Sequence, residues 1–242
     1  MSADALQALI FDVDGTLADT EPLHRLAFNE AFAQVGLPWR WDAPTYRQLL
    51  ETTGGKARIV RWQHQVRQPD EAAWTEDHPT VRALHAAKTA VYTGLVDRGE
   101  IRLRDGVEGL LREARAGGLR LAIATTTTPA NIDALLTSTL GEDWRRDFFE
   151  VVEDGETAPQ RKPHPRVYLQ ALARLGLPAS ACLAFEDSQA GLQAALDAGL
   201  ATVVTPSHFT QHQDFSGALA LRPSLLDVRL AHLHDWHLRV TA

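Results

Sequence analysis

A Rossmann-like parallel sheet with helices on both faces, split by an inserted all-helical domain, is the α/β fold that this sequence predicts. Three observations predict it. From about residue 101 onward, short apolar runs alternate with helical segments; a lone apolar run precedes a stretch, residues 21–100, with helical periodicity only; and glycines follow the helical segments of the alternating part. Strands alternating with helices build a parallel sheet joined by crossover helices.

The first strand, about Leu9 to Phe11, lies in ALIFDVDGTLADTEPLH and runs straight into Asp12 and Asp14. Beyond it, Phe28, Ala31, Phe32 and Val35 recur at helical spacing, as do Ile59, Trp62 and Val66, and then Val81, Leu84, Val91 and Leu95. Gly36, Pro38 and Pro44 punctuate the first helical hairpin, and RQPDEAAWTEDHP reads as a polar connection. The alternation then runs VEGLLREARAGG to LRLAIA, PANIDALLTSTLG to FFEVV, PRVYLQALARLG to CLAF and SQAGLQAALDAG to ATVVT. Gly117, Gly176 and Gly199 stand where helix C-caps stand. The sheet domain is therefore discontinuous, made of residues 1–20 and 101–242, with 21–100 as a helical cap domain. An insertion just past Asp12 and Asp14 leaves the chain where a lid over the carboxyl edge of the sheet belongs.

With 45% hydrophobic and 23% charged residues, the chain has ordinary globular composition and carries no low-complexity tract or internal repeat. Its apolar runs are too short to span a bilayer, and an N-terminus with Asp4 and no basic flank does not read as a secretory signal. The expectation is a cytoplasmic protein with no membrane partner. A net charge of −7 argues against a polyanion-binding surface, hence against nucleic acid, although a small phosphorylated substrate needs only local positive charge. The sequence does not set the oligomeric state, and a monomer is compatible with it. Cys182, the only cysteine, lies in the apolar ACLAF and reads as a core residue. His232, His234 and His237 have no carboxylate or cysteine at a ligand spacing and read as surface or packing residues.

Asp, Gly and Thr are common where strands turn, so Asp12 and Asp14 alone could be turn chemistry. Carboxylates at the carboxyl end of a parallel strand also sit where such sheets bind ligands. Other strand ends decide between the two. LAIATTTT delivers Thr125, FEDSQAG delivers Glu186 and Asp187, and QRKPHP places Lys162 ahead of a helix. Each alone has an ordinary reading as a turn residue, an N-cap or a solvated lysine. Together they bring four carboxylates, a hydroxyl and a cation to one edge, and carboxylates crowded in one site repel unless a cation neutralises them. Hard oxygen donors of this kind suit Mg²⁺, which binds through one or two carboxylates plus substrate phosphate. One aspartate can then serve as nucleophile and ligand, and the other as proton carrier.

FDVDGTLADTE, Thr125, Lys162 with Pro163, and FEDSQAGLQAALDAG resemble, in order and spacing, the four motifs of the haloacid dehalogenase-like hydrolase superfamily, with a helical cap after the first. The resemblance covers essentially the whole chain. AFNEAF, YRQLLETTGGK and LRLAIATTTT are similar to the CbbY-type sugar-bisphosphate phosphatases, relatives of the β-phosphoglucomutases and phosphoglycolate phosphatases. That resemblance implies a Mg²⁺-dependent phosphatase acting on a small sugar phosphate or bisphosphate, xylulose 1,5-bisphosphate above all, through an aspartyl phosphate. It implies Asp12 as nucleophile and metal ligand, Asp14 as general acid and base and as ligand through its main-chain carbonyl, Asp187 as direct metal ligand, and Glu186 on the metal or on a metal-bound water. Thr125 and Lys162 would stabilise the transferring oxygens. Arg161 stands where the family usually has a small residue, and either adds charge or points to solvent.

Substrate choice is expected in the cap. Gly54 and Gly55 of TTGGKAR can offer main-chain N–H groups to an anion, with Lys56 and Arg58 adding charge, although a plain helix-joining loop fits the same residues. Asp19 and His24 resemble a substrate-hydroxyl contact and a cap-hinge contact, and Thr126 beside Thr125 is a further candidate. Tyr46 and Lys88 are weaker candidates, with helix-surface positions as their default. A phosphomutase uses the same aspartates and is the nearest rival. A phospho-Asp signalling receiver is a remote one, since it would carry no large helical insertion, and a dehalogenase would leave Asp14 without a purpose.

Overall fold

The computed structural model describes residues 5–241, so the reading of the N-terminal segment around Asp4 lies outside the described residues. In chain order, β1 (Ala8–Phe11) is followed by four helices, α1 (Glu21–Gln34), α2 (Ala43–Leu49), α3 (Gly55–Val66) and α4 (Pro79–Asp97). Then come α5 (Val107–Ala116), β2 (Arg120–Ala124), α6 (Pro129–Leu140), α7 (Trp144–Asp147), β3 (Phe149–Glu153) and α8 (Arg166–Leu175). The chain ends with β4 (Cys182–Glu186), α9 (Gln189–Asp197), β5 (Ala201–Val204), β6 (Ala220–Leu221) and α10 (Leu230–Thr241). Two compact units result: Met1–Asp19 with Ile101–Ala242, and Thr20–Glu100.

In the α/β unit all six strands are parallel, in the order β3-β2-β1-β4-β5-β6. Strand order reverses between β1 and β4, and the crevice at such a switch point is where doubly wound sheets bind ligands. Period-two alternation gives the sheet unlike faces. Ala8 and Ile10 of β1, Ala122 and Ala124 of β2, and Cys182 and Ala184 of β4 pack with Val167, Ala171 and Leu175 of α8 and Ala194 and Ala195 of α9. Small side chains there let these helices lie close to the strands. The alternate residues are large: Leu9 is in register with Leu121 and Leu183, and Phe11 with Ile123 and Phe185. Phe11 stacks on Phe185 at 4.4 Å between centroids and meets the edge of Phe149.

The helical unit is built on an aromatic cluster. Phe28 and Phe32 of α1 surround Trp41, with centroids at 4.6 and 4.8 Å. Asn29 clasps the main chain of Trp41, accepting from its N–H at 2.7 Å and donating to its carbonyl at 2.9 Å. Helices α1 and α4 pack against each other.

The structure departs from the sequence expectations at the margins. Val35 and Val66 close the periodic stripes but are exposed, because Val35 is already the C-cap of α1 and Val66 ends α3. The sequence pattern did not find α7, β6 or α10. Cys182 is buried in β4, and burial pushes its thiol up to about 12, in keeping with a core role. His237 is buried with Nε2 2.6 Å from the Ser180 carbonyl, and His232 stacks on Trp236, so both are packing residues. Among the described residues no helix is long and apolar enough to cross a membrane.

Because Phe185 is fully buried between strands and against Phe11, Phe185→Ala should cost ~3–5 kcal/mol, read as a fall in the urea midpoint at unchanged slope. A loss under ~1 kcal/mol would mean that the ring pair does not hold the sheet.

Candidate active site

Asp12 follows β1 and shares the α8 side of the sheet with Ala8 and Ile10, two and four residues before it. Glu186 ends β4 on that same side, two residues past Ala184. The register pairs Phe11 with Phe185, so Asp12 and Glu186 emerge next to each other on adjacent strands, with the Asp12 N–H donating to the Phe185 carbonyl at 3.0 Å. Alternation thus places two carboxylates side by side with no help from loop conformation.

Lys162, in the connection before α8, joins them. Its ammonium donates to Asp12 Oδ1 at 2.6 Å, to Glu186 Oε1 at 2.6 Å and to the carbonyl of Ala124 at 2.8 Å. The Lys162–Pro163 peptide is cis. All three groups are buried, and the ammonium lies 5.0 Å from the centre of the Tyr168 ring. Burial by itself would pull Lys162 down, but the facing Asp12 and Glu186 outweigh it and hold the ammonium above its ordinary value. Burial pushes Asp12 up, Lys162 pulls it back, and Glu186 and Asp14 push it up again, leaving it raised from 3.8 to about 7.

Asp187 follows Glu186, is also buried, and accepts from the Thr210 hydroxyl at 3.1 Å. Ligand oxygens of Asp12, Glu186 and Asp187 all lie within 4.8 Å of one another. Two glycines make this crowding possible. A Cβ on Gly15, whose φ is +84°, would stand 2.2 Å from Asp187 Oδ2, and one on Gly191 in α9 would stand 1.9 Å from Glu186 Oε2. Three carboxylates facing one ammonium leave an excess of negative charge, and their oxygens are the donors a divalent cation takes, so the buried group can hold a metal ion.

The other expected site residues separate into two groups. In the α/β unit, Asp14 is half-buried, its main chain bridges to Ala18, and its carboxylate is near enough to push Asp12 up, while its side chain lies outside the group of Asp12, Glu186 and Asp187 oxygens that could hold a metal ion. Thr125 is buried directly after β2, its N–H donating to the Glu153 carbonyl at 3.0 Å, with Thr126 half-buried beside it. Arg161 is half-buried. Asp19 is mostly exposed, with Oδ1 3.5 Å from Arg104 Nε.

In the helical unit, Gly54 (φ +100°) is the N-cap of α3 and gives it no side-chain cap; Gly55 and half-buried Lys56 form the first turn. Arg58 is engaged inside the unit: Nε donates to the Thr52 carbonyl at 3.1 Å, NH1 to the Tyr46 hydroxyl at 3.2 Å, and NH2 lies 3.7 Å from Glu21. The helix-surface default for Tyr46 and Lys88 is wrong, since both are buried. Tyr46 donates to Glu21 at 2.6 Å within the aromatic cluster, and the Lys88 ammonium lies 5.3 and 5.1 Å from the centres of the Phe28 and Tyr92 rings, an attraction that lets a cation sit in an apolar cluster. His24 is buried with its ring 4.2 Å from that of Tyr92.

Sequence reasoning missed three residues that shape the site: Tyr168, whose buried hydroxyl donates to Glu186 Oε1, Thr210 on Asp187, and Arg104. Burial and the Glu186 carboxylate hold the Tyr168 hydroxyl well above its ordinary value, so it stays a donor. None of the three stands at a spacing or in a motif that marks it, since Lys162 lies in the loop ahead of α8 and not on the helix that carries Tyr168.

Residues 6–199 match the model of the haloacid dehalogenase-like hydrolase family. The chain belongs to that family. Within it, the chain is 54% identical to Protein CbbY of Cupriavidus necator, across 92% of this chain and 87% of that protein. The crystal structure of CbbY from Rhodobacter sphaeroides in complex with phosphate is similar at TM-score 0.87 and 44% identity, covering 94% of this chain and 99% of that one. A mutant of the same CbbY protein, crystallised with xylulose-(1,5)bisphosphate, is similar at TM-score 0.86 and 43% identity, over 94% and 99% of the two chains. This is a CbbY-type haloacid dehalogenase-like phosphatase, a phosphoric monoester hydrolase.

The raised Asp12 has a consequence for stability in chelator. The unfolded chain releases this proton near 3.8 and the folded protein near 7, so between those values the native state binds more protons and stability falls as pH rises. Asp12→Asn removes the titration. Urea unfolding of the two proteins in chelator should show the variant gaining on the wild type from about pH 4 to about pH 7, with the gap shrinking when a divalent cation is added. A gap that does not change with pH would mean that Asp12 ionises normally.

Proposed function

We propose that this CbbY-type phosphatase hydrolyses a small sugar bisphosphate, with xylulose 1,5-bisphosphate as the substrate, by way of a phosphorylated Asp12. The observation that carries the substrate is the xylulose-(1,5)bisphosphate complex of a protein 43% identical along nearly its whole length. The chemistry follows from the strand ends. With Oδ1 held by Lys162, Asp12 presents a fixed carboxylate whose second oxygen attacks phosphorus. The new Asp12 O–P bond forms as the P–O bond to the sugar breaks, and Asp14 gives its proton to the departing sugar oxygen. Water then attacks phosphorus, Asp14 takes its proton, and the Asp12 O–P bond breaks to release inorganic phosphate. Thr125 donates to the transferring oxygens, and Lys162 balances their charge.

Mg²⁺ fits the buried acidic group, held by Asp12, Asp187 and the Asp14 carbonyl with Glu186 on the ion or its water, and when bound it supplies the positive charge that draws substrate phosphate in. The phosphatase reading is favoured over a mutase by the 54% identity to a CbbY protein.

A phosphate-release screen over sugar mono- and bisphosphates with Mg²⁺ tests the proposal: xylulose 1,5-bisphosphate should give the highest kcat/KM. Asp12→Asn should fold and lose turnover by about 10³-fold or more, and chelation should abolish activity, with Mg²⁺ restoring it and Ca²⁺ substituting poorly. Isomerised sugar phosphate without released phosphate would move the assignment to a mutase.

In the helical unit, Gly54, Gly55 and Lys56 recognise the second phosphate. An uncapped first turn offers N–H groups to an anion and the Lys56 ammonium adds charge, which supports that role. Lys56→Ala should lower kcat/KM for the bisphosphate by about tenfold or more, the value of a hydrogen bond to a charged group, and leave a small aryl phosphate within about twofold. Equal losses on both substrates would assign the loop to general closure or stability.

A further inference from the structure

We propose that Arg104 is a positioning residue of the active site, fixing both main-chain segments that flank Asp187; this rests on the assignment of Asp14 and Asp187 to the metal. Arg104 stands three residues after the chain re-enters the α/β unit at Ile101. Its side chain is only 11% exposed. NH1 donates to the carbonyls of Gly15 and Thr205, the latter at 2.6 Å, and to the Thr205 hydroxyl at 3.3 Å. NH2 donates to the carbonyls of Pro206 at 3.0 Å and Pro223 at 3.4 Å, and Nε lies 3.5 Å from Asp19 Oδ1. The Arg104 main chain is itself fixed, since its N–H donates to the Leu17 carbonyl at 2.8 Å and Leu103 pairs antiparallel with Ala18.

Each arm of the guanidinium leads to the proposed ligands. On one side, Gly15 follows Asp14 directly, its N–H closes on the Ala18 carbonyl at 2.8 Å, and its α-carbon lies against Asp187 so closely that no Cβ could be added. Holding the Gly15 carbonyl fixes the Gly15–Thr16 peptide, and the Gly15 N–H, bonded to Ala18, fixes the Asp14–Gly15 peptide that carries the Asp14 carbonyl, so the two bonds together clamp the turn on which that carbonyl stands. On the other side, the Thr205 N–H donates to the Glu186 carbonyl at 2.8 Å, and the segment it begins carries Thr210, whose hydroxyl accepts from the Ser207 N–H at 2.9 Å and donates to Asp187 at 3.1 Å. One planar fork with five donors spans carbonyls of three separate segments; a lysine, with one nitrogen on a flexible stem, cannot. Groups that orient metal ligands from behind typically set about 10–100-fold of metal affinity or activity.

The test compares Arg104→Lys and Arg104→Met with Arg120→Met, a control at the amino end of β2 whose guanidinium binds Glu150 and the Leu175 carbonyl. Melting temperature, calorimetric Mg²⁺ affinity, and kcat and KM on an aryl phosphate are measured for each. Both Arg104 variants should bind Mg²⁺ about tenfold or more weakly and lose about tenfold or more in kcat at saturating Mg²⁺, with KM nearly unchanged, whereas Arg120→Met should lose only melting temperature. Arg104→Lys keeps the charge and decides the matter if Arg104→Met does not fold. Mg²⁺ affinity and kcat within about twofold of wild type in a folded Arg104→Lys would overturn the proposal. So would losses that match those of Arg120→Met at equal melting temperature. Asp187→Asn is run alongside: unchanged Mg²⁺ affinity in that variant would locate the failure in the ligand assignment and not in Arg104.

Discussion

Everything at the catalytic edge depends on one buried ammonium. Lys162 has three N–H donors and uses them on Asp12, Glu186 and the Ala124 carbonyl, so its position is fixed from within the protein. Burying a cation and carboxylates together is stable only when the pairing is close and the remaining hydrogen-bonding capacity is filled. Tyr168 contributes to that filling by donating to the Glu186 oxygen that Lys162 also holds. The pairing remains incomplete by design of its charges, because one ammonium cannot neutralise Asp12, Glu186 and Asp187. The deficit is what a divalent cation would supply, and burial, reinforced by the Glu186 and Asp14 carboxylates, keeps Asp12 close to the boundary between its protonated and ionised forms.

Beneath that charge cluster lies the alternation of side chains along the strands. The α8 side of β1 and β4 carries Ala8, Ile10, Cys182 and Ala184, and the same two-residue step continues past the strand ends to Asp12 and Glu186. The face that packs small residues against α8 and α9 is therefore also the face that bears the acidic pair, and Lys162 and Tyr168 reach it from the chain around the start of α8. Gly191 belongs to the same arrangement: α9 can begin immediately after Asp187 only because its first turn leaves room for the Glu186 carboxylate. Core packing and site geometry are two consequences of a single register.

That register explains what could be recognised in the sequence. Lys162 was legible because it stands with Pro163 ahead of a helix, and Asp12, Thr125, Glu186 and Asp187 because each stands at the end of an apolar run, where a parallel sheet presents its residues. The strands and crossover helices were legible for the same reason. The residues that were not legible owe their positions to contacts distant along the chain: Arg104 meets Thr205 and Pro223 across about a hundred residues, and nothing local to IRLRDG announces it. Lys88 was misjudged because its helical position looks polar from the sequence, while its ammonium is held by rings from α1 and α4. The two-residue β6 and the histidine-bearing α10 lack a periodicity strong enough to separate them from loops.

The distribution of cations carries a further implication for selectivity. Lys162 and Arg104 are both committed to protein acceptors, the first to the acidic cluster and the second to main-chain carbonyls and Asp19. Neither has charge to spare for telling one sugar from another, and the groups that face the reacting phosphorus are suited to any phosphoryl transfer. Discrimination must then come from contacts with the part of the substrate that does not react, which is where binding energy can raise kcat/KM for one substrate over another. Arg58 is a poor source of it, since Glu21, Tyr46 and Thr52 already occupy its guanidinium. The start of α3 is a better one: its first turn has no side-chain cap, and Lys56 stands in that turn. On the proposed assignment of that turn to the second phosphate, altering it changes the substrate and leaves the chemistry proposed for Asp12 as it was.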